Sequence, residues 1–365
     1  MTARAAGVTL KAMFDVAIVG SGPGGATCAA FCARAGLHTL LLERETFPRE
    51  KVCGDCLNPS CTPVLERLGV SGRIRALPHG KLKQVDFIAI GGQILSVELP
   101  VDAEIAVKRS LLDELLLKCA AESGAEIRQG ATVREITREA TGWRVQAGTD
   151  VFRARVLVAA DGRNSTVARL LGSLPRIEKE RVALQTHLPL PPDFGERVVL
   201  QFLPEGYSGQ APVSADELNL CLVGKPAALP ALRAWAEARF GVPRDHGWRT
   251  ITPLRRAPIR PAVGPLFLVG DAARVVEPFT GEGIFYALRS GEMAAAAAGA
   301  VIETGDADDA ARSYATAHER LYRGRLWINR ISRAAVLSPQ ITSLLMRSRL
   351  LPPPLLAALT AKIVH

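Results

Sequence analysis

Asp15-Val16-Ala17-Ile18-Val19-Gly20-Ser21-Gly22-Pro23-Gly24-Gly25 is an apolar run that breaks into a glycine turn. Small residues follow as far as Gly36, and a second apolar run, Leu40-Leu41-Leu42, ends in Glu43. The pattern predicts a strand over 15–20, a helix over 24–35 stopped by Gly36, and a strand over 38–43. The glycines differ in what they permit. Gly20 allows the tight turn, Gly22 lets backbone approach a pyrophosphate, and Gly25 lets the helix pack on the strand. The start of the helix then offers unpaired N–H groups and a partial positive charge to phosphate. Glu43 sits about twenty residues past the turn, where an acid accepts hydrogen bonds from a ribose 2′-OH and repels a 2′-phosphate. A dinucleotide belongs here, FAD or NAD rather than NADP.

Two later segments choose FAD. Val156-Leu157-Val158-Ala159-Ala160-Asp161-Gly162 is a buried-type strand ending in a turn, with Asn164 and Ser165 placed to cap a following helix. Leu266-Phe267-Leu268-Val269-Gly270-Asp271 is a second such strand, followed by the glycine loop Pro278-Phe279-Thr280-Gly281-Glu282-Gly283-Ile284 and an alanine-rich helix reaching Ala300. A nicotinamide dinucleotide needs no second acid of this kind. The ribityl chain of a flavin does, and Asp271 stands at a strand end able to accept from its hydroxyls. A helix beginning near Gly283 would aim its N-terminus at the pyrimidine edge of the ring, where negative charge gathers on reduction.

Gly20, Gly22 and Gly25 with Glu43, Asp161-Gly162 and Gly270-Asp271 are spaced as in the para-hydroxybenzoate-hydroxylase-like FAD superfamily. Phe47-Pro48-Arg49-Glu50-Lys51-Val52-Cys53-Gly54-Asp55 resembles its geranylgeranyl reductase and flavin-dependent halogenase branch. The resemblance covers most of residues 14–300. It implies non-covalent FAD, held by Gly20, Gly22, Pro23, Gly25, Glu43, Arg44, Cys53, Gly54, Arg109, Val133, Asp161, Gly162, Gly270, Asp271, Pro278, Gly281, Gly283 and Ile284. In it Arg109 reaches the FAD phosphates, the Val133 backbone meets the adenine, and NADH or NADPH acts as a transient reductant. Read without the resemblance, Arg109 serves a phosphate or solvent equally well.

The chain has 365 residues and 39.0 kDa, enough for about two domains. Its fold class is expected to be α/β (α+β). A Rossmann-like FAD-binding domain is assembled from residues 1–80, 109–175 and 259–304, and a β-sheet substrate domain from 81–108 and 176–258. A helical basic region, 305–365, follows. Within this plan a helix is predicted over 109–122. Strands are predicted over 126–128, 132–135, 144–147 and 151–158, and substrate-side strands over 182–187, 198–202 and 218–223 with a helix at 228–239. Residues 305–350 read as helical, broken by Pro352-Pro353-Pro354, and residues 1–13 as a loose lead-in.

No apolar run reaches the ~18 residues of a membrane span, and no signal-peptide cleavage pattern precedes the first strand, so a cytoplasmic location is expected. Seven cysteines in a chain this long make no disulfide scaffold. The net charge of +9 is concentrated at the end: residues 310–365 hold nine basic residues and one acid, Glu319. Such a tail serves an anionic membrane surface peripherally, an acidic carrier protein, or neither. It carries no nucleic-acid motif, so no nucleic-acid partner is expected.

Cys53-Gly54-Asp55-Cys56 follows the second strand, and by resemblance lies against the flavin ring. It reads as a redox dithiol, or as a packing cysteine beside a glycine that permits close approach; the further ligands of a metal site are missing. Asp55 is a proton donor near the ring or a solvated turn carboxylate. Geranylgeranyl reductases carry Tyr-x-Trp-x-Phe-Pro after a glycine. Here the stretch is Gly206-Tyr207-Ser208-Gly209-Gln210-Ala211-Pro212, so Gly209 and Ala211 replace two bulky aromatics and open space. The tryptophan pair of halogenases is absent. Tyr207 bonds a substrate oxygen or packs in the sheet. His187 and His246 read as lone structural histidines. Cys53, Asp55 and Tyr207 are the catalytic candidates. The leading expectation is a monooxygenase that hydroxylates an apolar or aromatic small molecule through a flavin C4a-hydroperoxide. Its alternatives are a hydride-transfer reductase acting on a lipid-like substrate and a non-enzymatic flavoprotein sensor or electron relay.

Overall fold

The computed structural model describes residues 13–100, 104–177 and 181–348. The chain begins with β1 (Phe14–Val19), α1 (Pro23–Arg34), β2 (Thr39–Leu42), β3 (Cys56–Leu57), α2 (Thr62–Arg67) and α3 (Ser71–Arg75). Four strands follow, β4 (Gly80–Leu82), β5 (Gln84–Ile88), β6 (Ile94–Glu98) and β7 (Glu104–Ala106). Then come α4 (Arg109–Glu122), β8 (Glu126–Arg128), β9 (Val133–Glu139), β10 (Gly142–Ala147), β11 (Asp150–Ala159) and α5 (Thr166–Leu170). A second group holds β12 (Val182–Pro189), β13 (Arg197–Leu203), β14 (Gly206–Pro212), β15 (Glu217–Gly224), α6 (Leu229–Phe240) and β16 (Arg249–Ile251). The described chain closes with β17 (Ala262–Val263), β18 (Leu266–Leu268), α7 (Gly283–Thr304), α8 (Ala307–Tyr322), α9 (Leu326–Leu337) and α10 (Pro339–Arg347).

The central strands β18, β11, β1, β2 and β8 lie in that order and run parallel. Both faces of this sheet are covered, which is why β1 and β2 read as continuous rather than alternating apolar runs. Helix α1 packs against α7 and α4 on one face. Its closest approach to α7 is made by two glycines: a Cβ on Gly291 would lie 2.2 Å from the Gly24 carbonyl oxygen. The antiparallel meander β9–β10–β11 extends the sheet.

A second sheet, ordered β16-β12-β15-β14-β13-β5-β6, is antiparallel except where β13 pairs parallel with β5. Residues 84–98 therefore join 182–251 in one sheet outside the central parallel strands. Strand β14, read in the sequence only as a motif segment, is an internal strand of this sheet. A third sheet, β3-β7-β4, lies against β13 and β14 of the second through β4. There a Cβ on Gly80 would lie 1.8 Å from the Pro212 carbonyl oxygen, so only glycine permits β4 to pass β14.

Among the described residues the basic C-terminal part forms three helices, divided at Gly324 (φ +82°) and at Ser338-Pro339. The expected break at Pro352-Pro353-Pro354 and most of the lead-in lie outside the described residues. No helix among the described residues is long and apolar enough to cross a membrane.

Candidate cofactor and substrate site

The glycine turn after β1 is closed by sterics. Gly20 adopts φ +96°, and a Cβ there would lie 2.6 Å from the Ala160 carbonyl oxygen; a Cβ on Gly25 would lie 1.8 Å from that of Gly20. Gly22 differs, since the nearest atoms to its Cβ position are guanidinium nitrogens of Arg49 (3.9 Å) and Arg109 (4.0 Å). Helix α1 begins at Pro23 with no side-chain cap, so its first N–H groups stay available. Arg109 is buried, not solvated. Its guanidinium donates to both oxygens of Asp113 (2.8 and 2.7 Å), and Arg49 shares the same carboxylate at 3.1 Å. A guanidinium nitrogen of each arginine is thereby held facing Gly22, the donor arrangement a pyrophosphate needs.

Glu43 is buried. Its carboxylate accepts from Ser21 N (2.8 Å), Ser21 Oγ (2.7 Å) and Glu45 N (3.0 Å). Burial alone would push its pKa up. The hydrogen bonds from Glu45 and Ser21, with the charge of Arg49, hold it below the ordinary value, so it stays an ionised acceptor. Val133 is buried at the start of β9. Arg44 is exposed and paired with Glu45 at 3.1 Å.

Further along, Asp161 accepts from Val167 N (3.0 Å) at the start of α5, and Ser165 rather than Asn164 caps that helix. Asp271 lies in the turn after β18 and pairs with Arg163 at 2.9 Å. Asp161 Oδ1 and Arg163 Nε and Nη1 are buried without a partner. Native structures rarely leave such atoms unmatched, and a polar ligand in the cavity lined by Gly162, Arg163 and Asp271 would satisfy the Arg163 nitrogens. Lys51 borders the same cavity, with Nζ 3.4 Å from the Cβ position of Gly162. Burial and then the charges of Arg109 and Arg49 push its pKa down to about 8. Helix α7 starts beyond Gly281 (φ +69°), and Pro278, Gly281, Gly283 and Ile284 line the cavity at its N-terminus. Glycine turn, paired guanidiniums, ionised Glu43 and orphaned polar atoms together fit a dinucleotide with a polar chain.

The cavity has a volume of about 630 Å³ and runs from Gly22 and Pro23 to the α9–α10 helices. Beyond Asp271 its walls are Val85, Phe87, Leu200, Phe202, Ile251 and Leu254. Phe279 is the hub, with ring centroids 5.3 Å from Tyr207, 5.9 Å from Phe202 and 6.2 Å from Phe87. Tyr207 is buried beside the cavity. Desolvation and then the nearby Glu277 raise its phenol pKa well above the ordinary value. Gly209 and Ala211 also line the cavity, so the space their small side chains predict is there.

Asp55 corrects the solvated-turn reading, because it is fully buried. Its φ of +61° is the left-handed conformation, the single such case among the described non-glycine residues. The carbonyl accepts from Val107 N at 2.9 Å, and Oδ2 lies 2.9 Å from His187 Nε2 and 3.5 Å from Gln185 Nε2. Oδ1 is buried with no partner. Desolvation raises the Asp55 pKa, and the hydrogen bond to His187 opposes that rise. His187 is therefore the partner of a cavity carboxyl rather than a lone histidine; His246, in turn, bonds Thr186 Oγ1.

Cys53 borders the cavity, and its backbone carbonyl accepts from Asn219 Nδ2 and Cys221 Sγ. Burial raises its thiol pKa, which works against the thiolate a redox dithiol requires. Cys56 lies in β3 with its Sγ on the Gly54 carbonyl (3.4 Å). No metal-ligating cluster occurs among the described residues. Sequence reasoning missed Arg49, Lys51 and His187 as site residues. Arg49 and Lys51 stand inside the quoted Phe47–Asp55 segment, whereas nothing local marks His187.

A family model described as an FAD binding domain matches residues 13–192. Over 319 residues the chain is 33% identical to the menaquinone reductase of Mycolicibacterium smegmatis, covering 77% of this chain and 75% of that one. It is 30% identical over 331 residues to the digeranylgeranylglycerophospholipid reductase of Methanosphaerula palustris, covering 83% and 80%. The flavin-dependent brominase Bmp2 superposes with a TM-score of 0.80 over 97% of this chain and 94% of that chain. At 22% identity this is a likeness of fold.

Proposed function

The chain belongs to the FAD-binding-domain family of flavin-dependent oxidoreductases, and from that premise we propose a reductase that adds hydrogen across a carbon–carbon double bond of an apolar, isoprenoid-like molecule. One observation carries this reading: a single cavity joins the polar dinucleotide cradle to a long aliphatic and aromatic wall. The names of the two reductases above point the same way, and so does the space left by Gly209 and Ala211.

Bound FAD, once reduced by NADH or NADPH, would supply the electron pair as a hydride. The chain's own residues do the rest. The Phe279 cluster and the aliphatic wall hold an apolar substrate and exclude water; fully burying one such side chain or isoprene-sized group stabilises by ~1.5–3 kcal/mol. Hydride addition to a double bond also requires a proton at the neighbouring carbon. Asp55 is the best-placed group to hold it. Its buried carboxyl has a raised pKa, Oδ1 is unengaged at the cavity wall, and His187 holds Oδ2 and so orients the carboxyl. Arg109, Arg49 and Glu43 bind and orient the dinucleotide.

The test is anaerobic mixing of NAD(P)H-reduced protein with detergent-dispersed menaquinone or a geranylgeranyl lipid, followed by mass spectrometry. Flavin reoxidation with substrate gaining one H₂ supports the reading, and Asp55→Asn should slow that step by ~10²–10⁴-fold. Oxygen consumption coupled to a hydroxylated product, with no saturated product, would instead establish the monooxygenase expected first from the sequence.

A further inference from the structure

The helices α9 and α10 carry apolar residues that belong to two surfaces at once. Ile331, Ile341 and Leu345 line the cavity, yet they are 50%, 61% and 37% exposed. The cavity wall is here also the outer surface of the protein. Beside them Trp327, Leu337 and Leu344 are exposed as well. Six of the ten large hydrophobics exposed among the described residues thus fall on these two helices, a clustering that single scattered surface residues do not produce.

Charge accompanies the apolar face. Residues 323–348 contain five arginines and no acid. Arg325 is used internally, donating to Glu282 at 3.0 Å, while Arg330 and Arg347 are exposed. The helices are held in place from inside. Asn329 Nδ2 donates to Glu282 (3.2 Å), its Oδ1 accepts from Glu277 N (2.9 Å), and Ser343 Oγ accepts from Ile90 N (2.9 Å). The exposed apolar side chains are therefore presented on a fixed frame around the cavity mouth.

Apolar groups rimmed by arginines complement an anionic lipid surface, where the first enter the acyl boundary and the second meet phosphates. A second copy of the chain would bring the same positive charge against itself, which opposes pairing. We infer that the α9–α10 face docks on an anionic membrane and that the cavity opens there, so that an apolar substrate enters from the bilayer without crossing water. The entry of substrate rests on the reading of an apolar substrate above; the docking does not.

Flotation of the full-length FAD-loaded protein tests this, with phosphatidylglycerol-rich vesicles and with phosphatidylcholine vesicles, at low and high salt. The protein should float with the anionic vesicles at low salt and be released by high salt. Arg330→Gln and Arg347→Gln should each weaken partition by about fivefold. Leu344→Ser, outside the cavity lining, should weaken it further with flavin occupancy and thermal unfolding unchanged. No flotation at either salt overturns the proposal, as does equal flotation on both vesicle types that the arginine substitutions leave unchanged. A dimer in sedimentation that Leu344→Ser breaks would assign the face to a second copy. Capture by an acidic acyl carrier protein without flotation would assign it to a carrier, and either result overturns the membrane. Flotation without a saturated product leaves docking standing and the reaction refuted. Turnover of detergent-dispersed substrate without flotation does the reverse.

Discussion

The two ends of the cavity are built by opposite rules. At the nucleotide end the backbone makes the site: Gly20 and Gly25 stand where a Cβ would lie 2.6 and 1.8 Å from a carbonyl oxygen. At the substrate end side chains make it. Gly209, in the middle of β14, meets nothing nearer than Leu200 Cδ2 at 3.8 Å and Cys221 Cβ at 4.0 Å, which is ordinary contact. The first end admits almost no variation, because a clash with backbone cannot relax by rotating a side chain. The second can be recut one residue at a time while the cradle beneath stays intact, which is how a single fold serves several substrates.

The sharpest way to break this contrast is to add one methyl group at each glycine. Gly25→Ala should cost ~3 kcal/mol or more in urea unfolding, by overpacking against Gly20. Gly22→Ala, with only guanidinium tips near it, should keep its unfolding midpoint and lose FAD affinity instead. A Gly25→Ala protein as stable as the wild type would end the backbone argument.

Titration should separate the two regions next. His318, buried on α8 beneath the nucleotide sheet, has its pKa lowered from 6.5 to about 4 by burial and then by Arg274. Its folded state resists protonation, so the stability it contributes is present above pH 6.5 and lost as pH falls toward 4. The loss should be about 3 kcal/mol across that window, and His318→Phe should abolish it in urea midpoints measured at several pH values. Asp55 at the substrate end has the opposite sign. Its pKa is raised by desolvation, so the stability tied to it is present below the ordinary carboxylate pKa and lost as pH rises through the folded value. Asp55→Asn should therefore gain on the wild type as pH increases, and an unchanged difference across pH would refute the raised carboxyl.

The smallest effect is expected at Gly209→Val. A β-branched residue suits a strand, and stability should move by no more than ~1 kcal/mol. FAD affinity should hold, while KM for an apolar substrate shifts severalfold. A loss of FAD from this variant would join the two ends that the comparison separates.

How much was legible in the sequence follows the same division. The glycine turn, Glu43, the Asp161-Gly162 turn and the 109–122 helix are local, so spacing alone places them. Arg49 sat in plain view, but an arginine in a loop announces no partner. Its role rests on Asp113, which the fold brings to it from helix α4. Asp55 and His187 are 132 residues apart and meet only because β12 lies over the Cys53–Cys56 loop. Strand β14, rich in glycine and polar residues, lacks the alternation that would mark it. The three-way division of the C-terminal helices depends on Gly324 and Pro339, two ordinary punctuators among many.

The parallel pairing of β5 with β13 joins residues 84–88 to residues 197–201. Between them the chain makes α4, the meander and all of β11. Closing so long a loop costs entropy before the pairing returns anything, so a non-local junction of this kind is expected to slow folding. Without β13 the edge of β5 that pairs with it is open, and open strand edges favour aggregation. The substrate sheet is thus no module that can be cut out and moved: its strands come from two stretches of chain with a nucleotide-binding segment between them.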